Sequence, residues 1–155
     1  MDTGRTVPFP HKGWYSRGYL PHLDQPGLVQ AVTFRLDDSL PAERRHEWEA
    51  LLKVRGSAQQ HERIQDYLDA GHGSCVLRHE HVASLVQAAL LHGDDVQYRL
   101  LAWVVMPNHV HVLVEMLPGY PLYQVVQAWK SVTARRANVL LGRKGTLWQR
   151  DYFDR

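Results

Sequence analysis

AWVVMPNHVHVLVEM, residues 102–116, is the most informative segment of the chain. Two runs of mainly apolar residues flank Pro107-Asn108, a turn-prone pair, and this arrangement is typical of two strands joined by a tight turn. We therefore predict antiparallel strands over residues 97–106 and 109–116. The second strand contains two histidines one residue apart, His109 and His111, in otherwise apolar surroundings.

Side chains alternate along a strand, so the second strand has two unlike faces. The face assigned to the core carries three valines, Val110, Val112 and Val114. His109 and His111 share the other face, with Cα atoms ~7 Å apart, and their imidazoles can converge on one metal ion or phosphate. Glu115 shares that face but lies too far along the strand to join them without a bulge. The alternative is a pair of half-exposed histidines that bind nothing.

Outward from this stretch, the sequence predicts one α+β domain over residues 1–155. Residues 28–36 are typical of a strand, and helices are indicated over 37–56, 57–73 and 80–94, with a long helix over 121–142. We expect the first helix to have Asp38 or Ser39 as its N-cap, and the second to end at Gly71. The order β, three helices, ββ, α favours a ferredoxin-like fold with a mainly antiparallel sheet.

The composition excludes several classes of protein. The chain has 155 residues, 45% of them hydrophobic and 22% charged, as in ordinary globular domains. It has no apolar run long enough to cross a membrane, and its first residues do not resemble a secretory signal. The single cysteine, Cys75, excludes an internal disulfide and is typical of a reducing cytoplasm. We expect a cytoplasmic protein that contacts no membrane and needs no small-molecule cofactor.

Charge is unevenly distributed along the chain. Residues 117–155 contain seven lysines and arginines against two aspartates, a net charge of +5, and residues 1–116 have a net charge of −3. A basic C-terminal third indicates a polyanionic partner, although a solvated basic face would give the same count.

Four segments together resemble a known family. They are WVVMPNHVHVLVE (103–115), RGYLPH (17–22), AVTFRLDDSLP (31–41) and AWKSVTARRANVLLGRKGTLWQRDYFDR (128–155). In order and spacing they resemble the REP-associated tyrosine transposases, which belong to the HUH (His, hydrophobic, His) single-tyrosine transposases. The resemblance implies the same ferredoxin-like α+β fold.

The resemblance also implies a chemistry. His109 and His111 would hold Mg²⁺ or Mn²⁺, which polarises a scissile phosphate in single-stranded or hairpin DNA. A tyrosine would attack that phosphate, leaving a 5′-phosphotyrosine and a free 3′-OH. In the family this tyrosine and a further metal ligand lie on a helix that would begin past Arg155, so the resemblance implies a domain shortened at its C-terminus. No catalytic tyrosine is then expected within the chain, and Tyr152 is the one low-ranking candidate.

Basic and aromatic side chains provide candidate DNA contacts. We predict phosphate or base contacts from Arg17, Tyr19, Lys130, Arg135, Arg136, Arg143, Lys144 and Arg150. Trp129 or Trp148 could stack on an unpaired base, and the alternative is that they belong to the core.

Two further functions are compatible with alternating histidines on a strand. A histidine-triad nucleotide hydrolase would need a third histidine at the next alternate position, which here is Leu113. A remnant or regulator that binds hairpin DNA without cutting it needs no tyrosine nucleophile. It is the main alternative to a DNA-cleaving enzyme.

Overall fold

The computed structural model describes residues 10–16, 21–53 and 57–155. Six strands and four helices lie in this part of the chain. They are β1 (Gly13–Ser16), β2 (Pro21–Asp24), β3 (Val29–Arg35), α1 (Arg45–Lys53), α2 (Ser57–Asp69), α3 (Glu80–His92), β4 (Tyr98–Val105), β5 (His109–Met116), α4 (Leu122–Leu140) and β6 (Phe153–Asp154).

Strands β3 to β6 form one antiparallel sheet in the order β4-β5-β3-β6, and β1 pairs with β2 in a separate hairpin. From β3 onward the chain runs strand, helices, two strands, helix, strand, which is the ferredoxin-like arrangement. The predicted α+β class and the antiparallel sheet are therefore confirmed. The predicted turn at Pro107-Asn108 is also confirmed, since β4 ends at Val105 and β5 begins at His109.

Helices pack on both faces of this sheet. The main hydrophobic core joins α3 and α4 to one face, where it includes Val32, Phe34 and the three valines of β5. A smaller cluster formed by α1 and α2 includes Trp48, Ile64 and Leu68, with Phe153 packed against it. Phe153 pairs with Thr33, and directly paired residues point to the same side of a sheet. The α1–α2 layer therefore covers the face opposite the main core.

The first predicted helix starts later than expected, and the predicted N-cap is wrong. Two short 3₁₀ turns, Asp37–Ser39 and Ala42–Arg44, come before α1 at Arg45. The side chains expected to cap the helix are engaged elsewhere. Asp38 accepts a hydrogen bond from the Ser74 amide at 3.0 Å, and Ser39 donates to the Leu36 carbonyl at 2.7 Å. Both residues also lie six or more positions before Arg45, too far to cap the first N–H groups of α1.

The other predicted boundaries agree with the structure to within a few residues. Gly71 follows the end of α2 with φ of +72°, a conformation that favours glycine at a helix C-terminus. Three predicted positions, Arg17, Tyr19 and the stop at Gly56, lie outside the described residues. None of the helices within the described part of the chain is long and apolar enough to cross a membrane.

Candidate functional site

The two histidines of β5 converge on the face covered by α1 and α2. Their Nε2 atoms are 3.1 Å apart, and their rings lie nearly perpendicular with centroids 4.7 Å apart. His109 is 0% exposed, whereas His111 is partly buried. The prediction that both imidazoles point to one place is therefore confirmed, and His109 is more deeply buried than the half-exposed alternative assumed.

Each imidazole is oriented by a hydrogen bond at its Nδ1 atom. His109 Nδ1–H donates to Asn108 Oδ1 at 2.7 Å, which leaves the Nε2 lone pair directed at His111. His111 Nδ1 lies 2.7 Å from the Thr33 hydroxyl, which can donate or accept. Thr33 therefore supports either tautomer of His111. With one of them His111 donates to His109 Nε2, and with the other both Nε2 lone pairs are available to a cation.

Burial keeps both histidines neutral. Desolvation, reinforced by the nearby His111, lowers the pKa of His109 to about 4. The pKa of His111 is also lowered by desolvation, and the Asp69 carboxylate opposes the shift in both residues. A neutral imidazole is the form that binds a metal ion, so burial favours the form of both side chains that a cation requires.

The geometry of this pair fits a divalent ion. Adjacent ligands of an octahedral ion, each about 2.1 Å from it, are separated by about 3 Å. The 3.1 Å between the two Nε2 atoms matches that separation. Hydrogen bonds that fix the outer nitrogens, as Asn108 and Thr33 do here, are the usual support of metal-binding histidines.

Sequence reasoning missed the groups that α2 brings to this face. Asp69 Oδ1, at the end of α2, is 3.6 Å from His109 Nε2. The pKa of His61 is lowered mainly by burial, with smaller contributions from Arg155 and His111. The sequence contained one usable signal, because a carboxylate in the last turn of a helix opposes the helix dipole. The support from Thr33, 78 residues from His111, had no local signal.

Glu115 stays apart from the histidines, as expected without a bulge in β5. Its carboxylate is 3.4 Å from the Arg99 guanidinium on the neighbouring strand. The irregularity in this strand pair lies in β4, between Leu100 and Ala102, and leaves the β5 alternation unbroken.

Tyr152 lies on the other face of the sheet. It is buried in the main core, its hydroxyl is 2.9 Å from the Tyr15 hydroxyl, and its ring lies against His22. Its neighbour Phe153 points instead toward the histidine face, as strand alternation requires. The structure therefore does not bring Tyr152 together with the histidine pair.

The predicted DNA contacts on α4 are also separate from the histidines, because α4 packs on the main-core face. Arg135, Arg136, Lys144 and Arg150 are exposed, and Arg143 is partly buried and donates to the Thr146 carbonyl at 3.3 Å. Lys130 is buried, and its ammonium donates to the Arg150 carbonyl at 2.7 Å.

Both tryptophans considered for base stacking belong to the core. Trp129 donates to the Tyr98 hydroxyl and Trp148 to the Thr133 hydroxyl, each at 2.9 Å. Since both indoles are buried, the core alternative is the correct one for these residues.

Comparison with known families identifies the class of protein. The model of the IS200-like transposase family matches residues 76–154, half of the chain, including β4, β5 and α4. The chain therefore belongs to the IS200-like transposase family. A search of curated protein sequences gave no match.

Comparison with solved structures gave similar chains at low sequence identity. One is a REP-associated tyrosine transposase bound to a REP hairpin, with a TM-score of 0.50 and 17% identity over 91% of this chain. This chain spans 59% of the length of that protein. Another is a Deinococcus radiodurans protein called a "putative transposase", with a TM-score of 0.43 and 18% identity over 91% of this chain and 83% of its own.

Proposed function

We propose that this chain binds single-stranded DNA carrying a hairpin, and that His109 and His111 hold Mg²⁺ or Mn²⁺ beside one of its phosphates. The observation that carries the proposal is the pair of Nε2 atoms 3.1 Å apart, on rings fixed from outside by Asn108 and Thr33. Support for the hairpin comes from the fold-level likeness to a transposase bound to one. When bound, the ion would polarise a phosphate oxygen and stabilise charge that develops on it.

The protein's own groups would prepare this site. Asn108 keeps the His109 Nε2 lone pair directed at the ion, and the Thr33 hydroxyl turns to accept from His111 Nδ1. The α1–α2 layer excludes water from the His109 ring, and electrostatic interactions are stronger where water is excluded.

DNA contacting the ion could also reach the basic surface on the other face. The segment after α4 leads from the basic surface to the histidine face. Along it Trp148 forms an isolated β-bridge with Leu36, and the Gln149 amide donates to the Arg35 carbonyl at 2.9 Å. Arg35 is paired with His109 across the sheet. Three predicted contacts, Arg143, Lys144 and Arg150, lie along this segment. We propose that they and the α4 arginines contact phosphates.

Two functions are compatible with such a site. The reaction expected for the family is strand cleavage, in which a tyrosine oxygen bonds to phosphorus while the bond to the 3′ oxygen breaks and that oxygen takes a proton. A protein that binds hairpin DNA without cutting it is the second candidate. It is favoured by the position of Tyr152, whose hydroxyl is engaged with Tyr15 on the far side of the sheet.

Binding is tested with a labelled single-stranded hairpin and a duplex of equal length, followed by fluorescence anisotropy with and without Mn²⁺. We expect tighter binding of the hairpin, promoted by Mn²⁺ in the wild type but not in a His109→Ala/His111→Ala variant.

Affinity should fall with salt, with a log–log slope of roughly 0.7 for each phosphate contact. Arg135→Gln/Arg136→Gln should flatten that slope more than Arg45→Gln/Arg63→Gln on the α1–α2 side. An unchanged slope would remove Arg135 and Arg136 from the phosphate contacts.

Cleavage is tested by denaturing electrophoresis of labelled hairpin DNA after incubation with the protein and Mn²⁺. We expect no covalent adduct with this chain of 155 residues, because Tyr152 is held away from the histidines. An adduct that is lost in Tyr152→Phe would assign that residue as the nucleophile and refute our placement.

A further inference from the structure

The end of α2 places a carboxylate beside the histidine pair. Asp69 is the last residue of this helix, and its Oδ1 lies 3.6 Å from His109 Nε2. Its side chain is 55% exposed, so it can change rotamer without displacing the core.

Helix stability does not explain an aspartate at this position. The carbonyl end of a helix carries partial negative charge, and an acidic side chain in the last turn is unfavourable unless a cation lies nearby. The end of α2 is already completed by its backbone, since the Gly71 amide donates to the Leu68 carbonyl at 3.0 Å. Among the described residues, no donor that would contribute to this termination is hydrogen-bonded to the Asp69 carboxylate.

A single side chain fixes the end of α2 relative to His109. Asn108 Oδ1 accepts from His109 Nδ1, and Asn108 Nδ2 donates to the His72 carbonyl at 3.1 Å. Only two residues separate His72 from Asp69. Asn108 is 1% exposed, so this double connection is shielded from water and holds the Asp69 backbone beside the imidazole.

We propose that Asp69 is the third protein ligand of the divalent ion bound by His109 and His111, an inference that rests on the ion site proposed above. Two imidazole nitrogens and one carboxylate oxygen would occupy adjacent positions of an octahedral ion. The remaining positions stay open to water and to phosphate oxygens, and a carboxylate ligand favours the hard ions Mg²⁺ and Mn²⁺.

Forming this site requires only a small movement. Within the described residues no three His, Cys, Asp or Glu side chains already stand at the spacing of metal ligands. The 3.6 Å between Asp69 Oδ1 and His109 Nε2 exceeds the octahedral separation of about 3 Å by roughly half an ångström. Rotation of a half-exposed side chain closes a gap of this size. Glu115, a carboxylate on the same face of β5 as the histidines, is instead paired with Arg99.

The test is isothermal titration of the full chain with Mn²⁺ in the absence of DNA. Asp69→Asn keeps the shape of the side chain and removes its charge, and we expect it to weaken Mn²⁺ binding by about tenfold or more. Asp69→Glu restores a carboxylate and should recover part of the affinity. Asp66→Asn is the matched control, because Asp66 is an exposed aspartate in the same last turn of α2. It should bind Mn²⁺ as the wild type does.

The outcomes separate this inference from the proposed function. If His109→Ala/His111→Ala abolishes Mn²⁺ binding while Asp69→Asn and Asp66→Asn both match the wild type, the ion site stands and Asp69 is not a ligand. If the double histidine variant binds Mn²⁺ as tightly as the wild type, the ion site itself is refuted. Equal weakening by Asp69→Asn and Asp66→Asn would show a general charge effect and would also overturn the assignment of Asp69.

Discussion

The two faces of β5 differ in composition and in the partners that their side chains contact. On one face Val110, Val112 and Val114 are almost completely buried against α3 and α4. On the other, His109 is equally buried but meets polar partners, and Leu113 remains 38% exposed. Both faces are covered by helices, yet only one has the composition of a hydrophobic core.

The contrast between the valine face and the histidine face separates the interactions that stabilise the fold from those that orient the candidate site. Apolar burial on the valine face contributes to stability without any need for directional partners. Burying an imidazole has an energetic cost that is offset only when its nitrogens are hydrogen-bonded. Asn108 and Thr33 provide these hydrogen bonds on the histidine face, and they also orient the two imidazole rings.

The largest expected effect is on the stability of the core face. Phe34 is 1% exposed and packs between Trp129 and Trp148. Phe34→Ala should lower the free energy of unfolding by about 3–5 kcal/mol, because it leaves a cavity that the surrounding residues fill only in part. Urea denaturation followed by circular dichroism measures this change.

Leu113→Ala on the histidine face is the matched comparison. Because Leu113 is partly exposed, its truncation should lower the free energy of unfolding by less than about 1 kcal/mol. Equal losses in the two variants would contradict the assignment of the main core to the valine face.

The next effect is a dependence of stability on pH, specific to the histidine face. The pKa of His109 is lowered to about 4 in the folded protein, whereas in the unfolded chain it is near 6.5. Between these values the unfolded chain binds the extra proton, so the free energy of unfolding decreases as pH falls from 6.5 to 4. The decrease amounts to about 3 kcal/mol and should vanish above pH 6.5.

Urea titrations across pH 4–8 in the presence of EDTA measure this dependence. His109→Asn should remove most of it, and His46→Asn, at an exposed histidine of α1, should leave it unchanged. A His109→Asn variant with the same pH profile as the wild type would show that His109 is not held neutral.

The elements of the fold that were predicted from sequence are those with local patterns. Alternation predicted β5, and apolar residues at helical spacing predicted the helix over 80–94, where α3 buries Val82, Val86 and Leu90. Strand β6 was not predicted, because its two residues depend on pairing with β3 more than 100 positions earlier. The misplaced start of α1 has the same origin, since Asp38 is engaged with Ser74, 36 residues away.

The residues of the candidate site also divide into those with a local sequence pattern and those placed by distant contacts. His109 and His111 were found because two residues on one strand face must lie together whatever the tertiary structure. Asp69 and Thr33 reach them from α2 and β3, and only the packing of the α1–α2 layer and the β3–β5 register determines those distances. The basic residues of α4 were recognised by composition, which carries no information about the face of the sheet they occupy.

A smaller effect than the pH dependence concerns the support of the histidine face. Asn108→Ala removes the acceptor for His109 Nδ1 and the connection to His72. We expect Mn²⁺ affinity to fall about 10- to 100-fold, or roughly 1.4–2.7 kcal/mol, as for other groups that orient a metal-binding histidine. Titration calorimetry of the folded variant measures the loss.

Asn138→Ala is the control for Asn108→Ala. Asn138 also donates to a backbone carbonyl, that of Gly145, but it lies on α4 behind the other face of the sheet. Its variant should bind Mn²⁺ like the wild type. An unaltered affinity in Asn108→Ala would mean that the His109 ring is oriented without this hydrogen bond.

The most direct test of the central claim is electron spin echo spectroscopy of Mn²⁺ bound to the protein, with the histidines labelled with ¹⁵N. Our account predicts hyperfine couplings from two histidine nitrogens, reduced to one in either His109→Ala or His111→Ala if the ion is retained. A spectrum without directly bound histidine nitrogen, or one unchanged in both variants, would contradict the account and identify the pair as a hydrogen-bonded element of the structure.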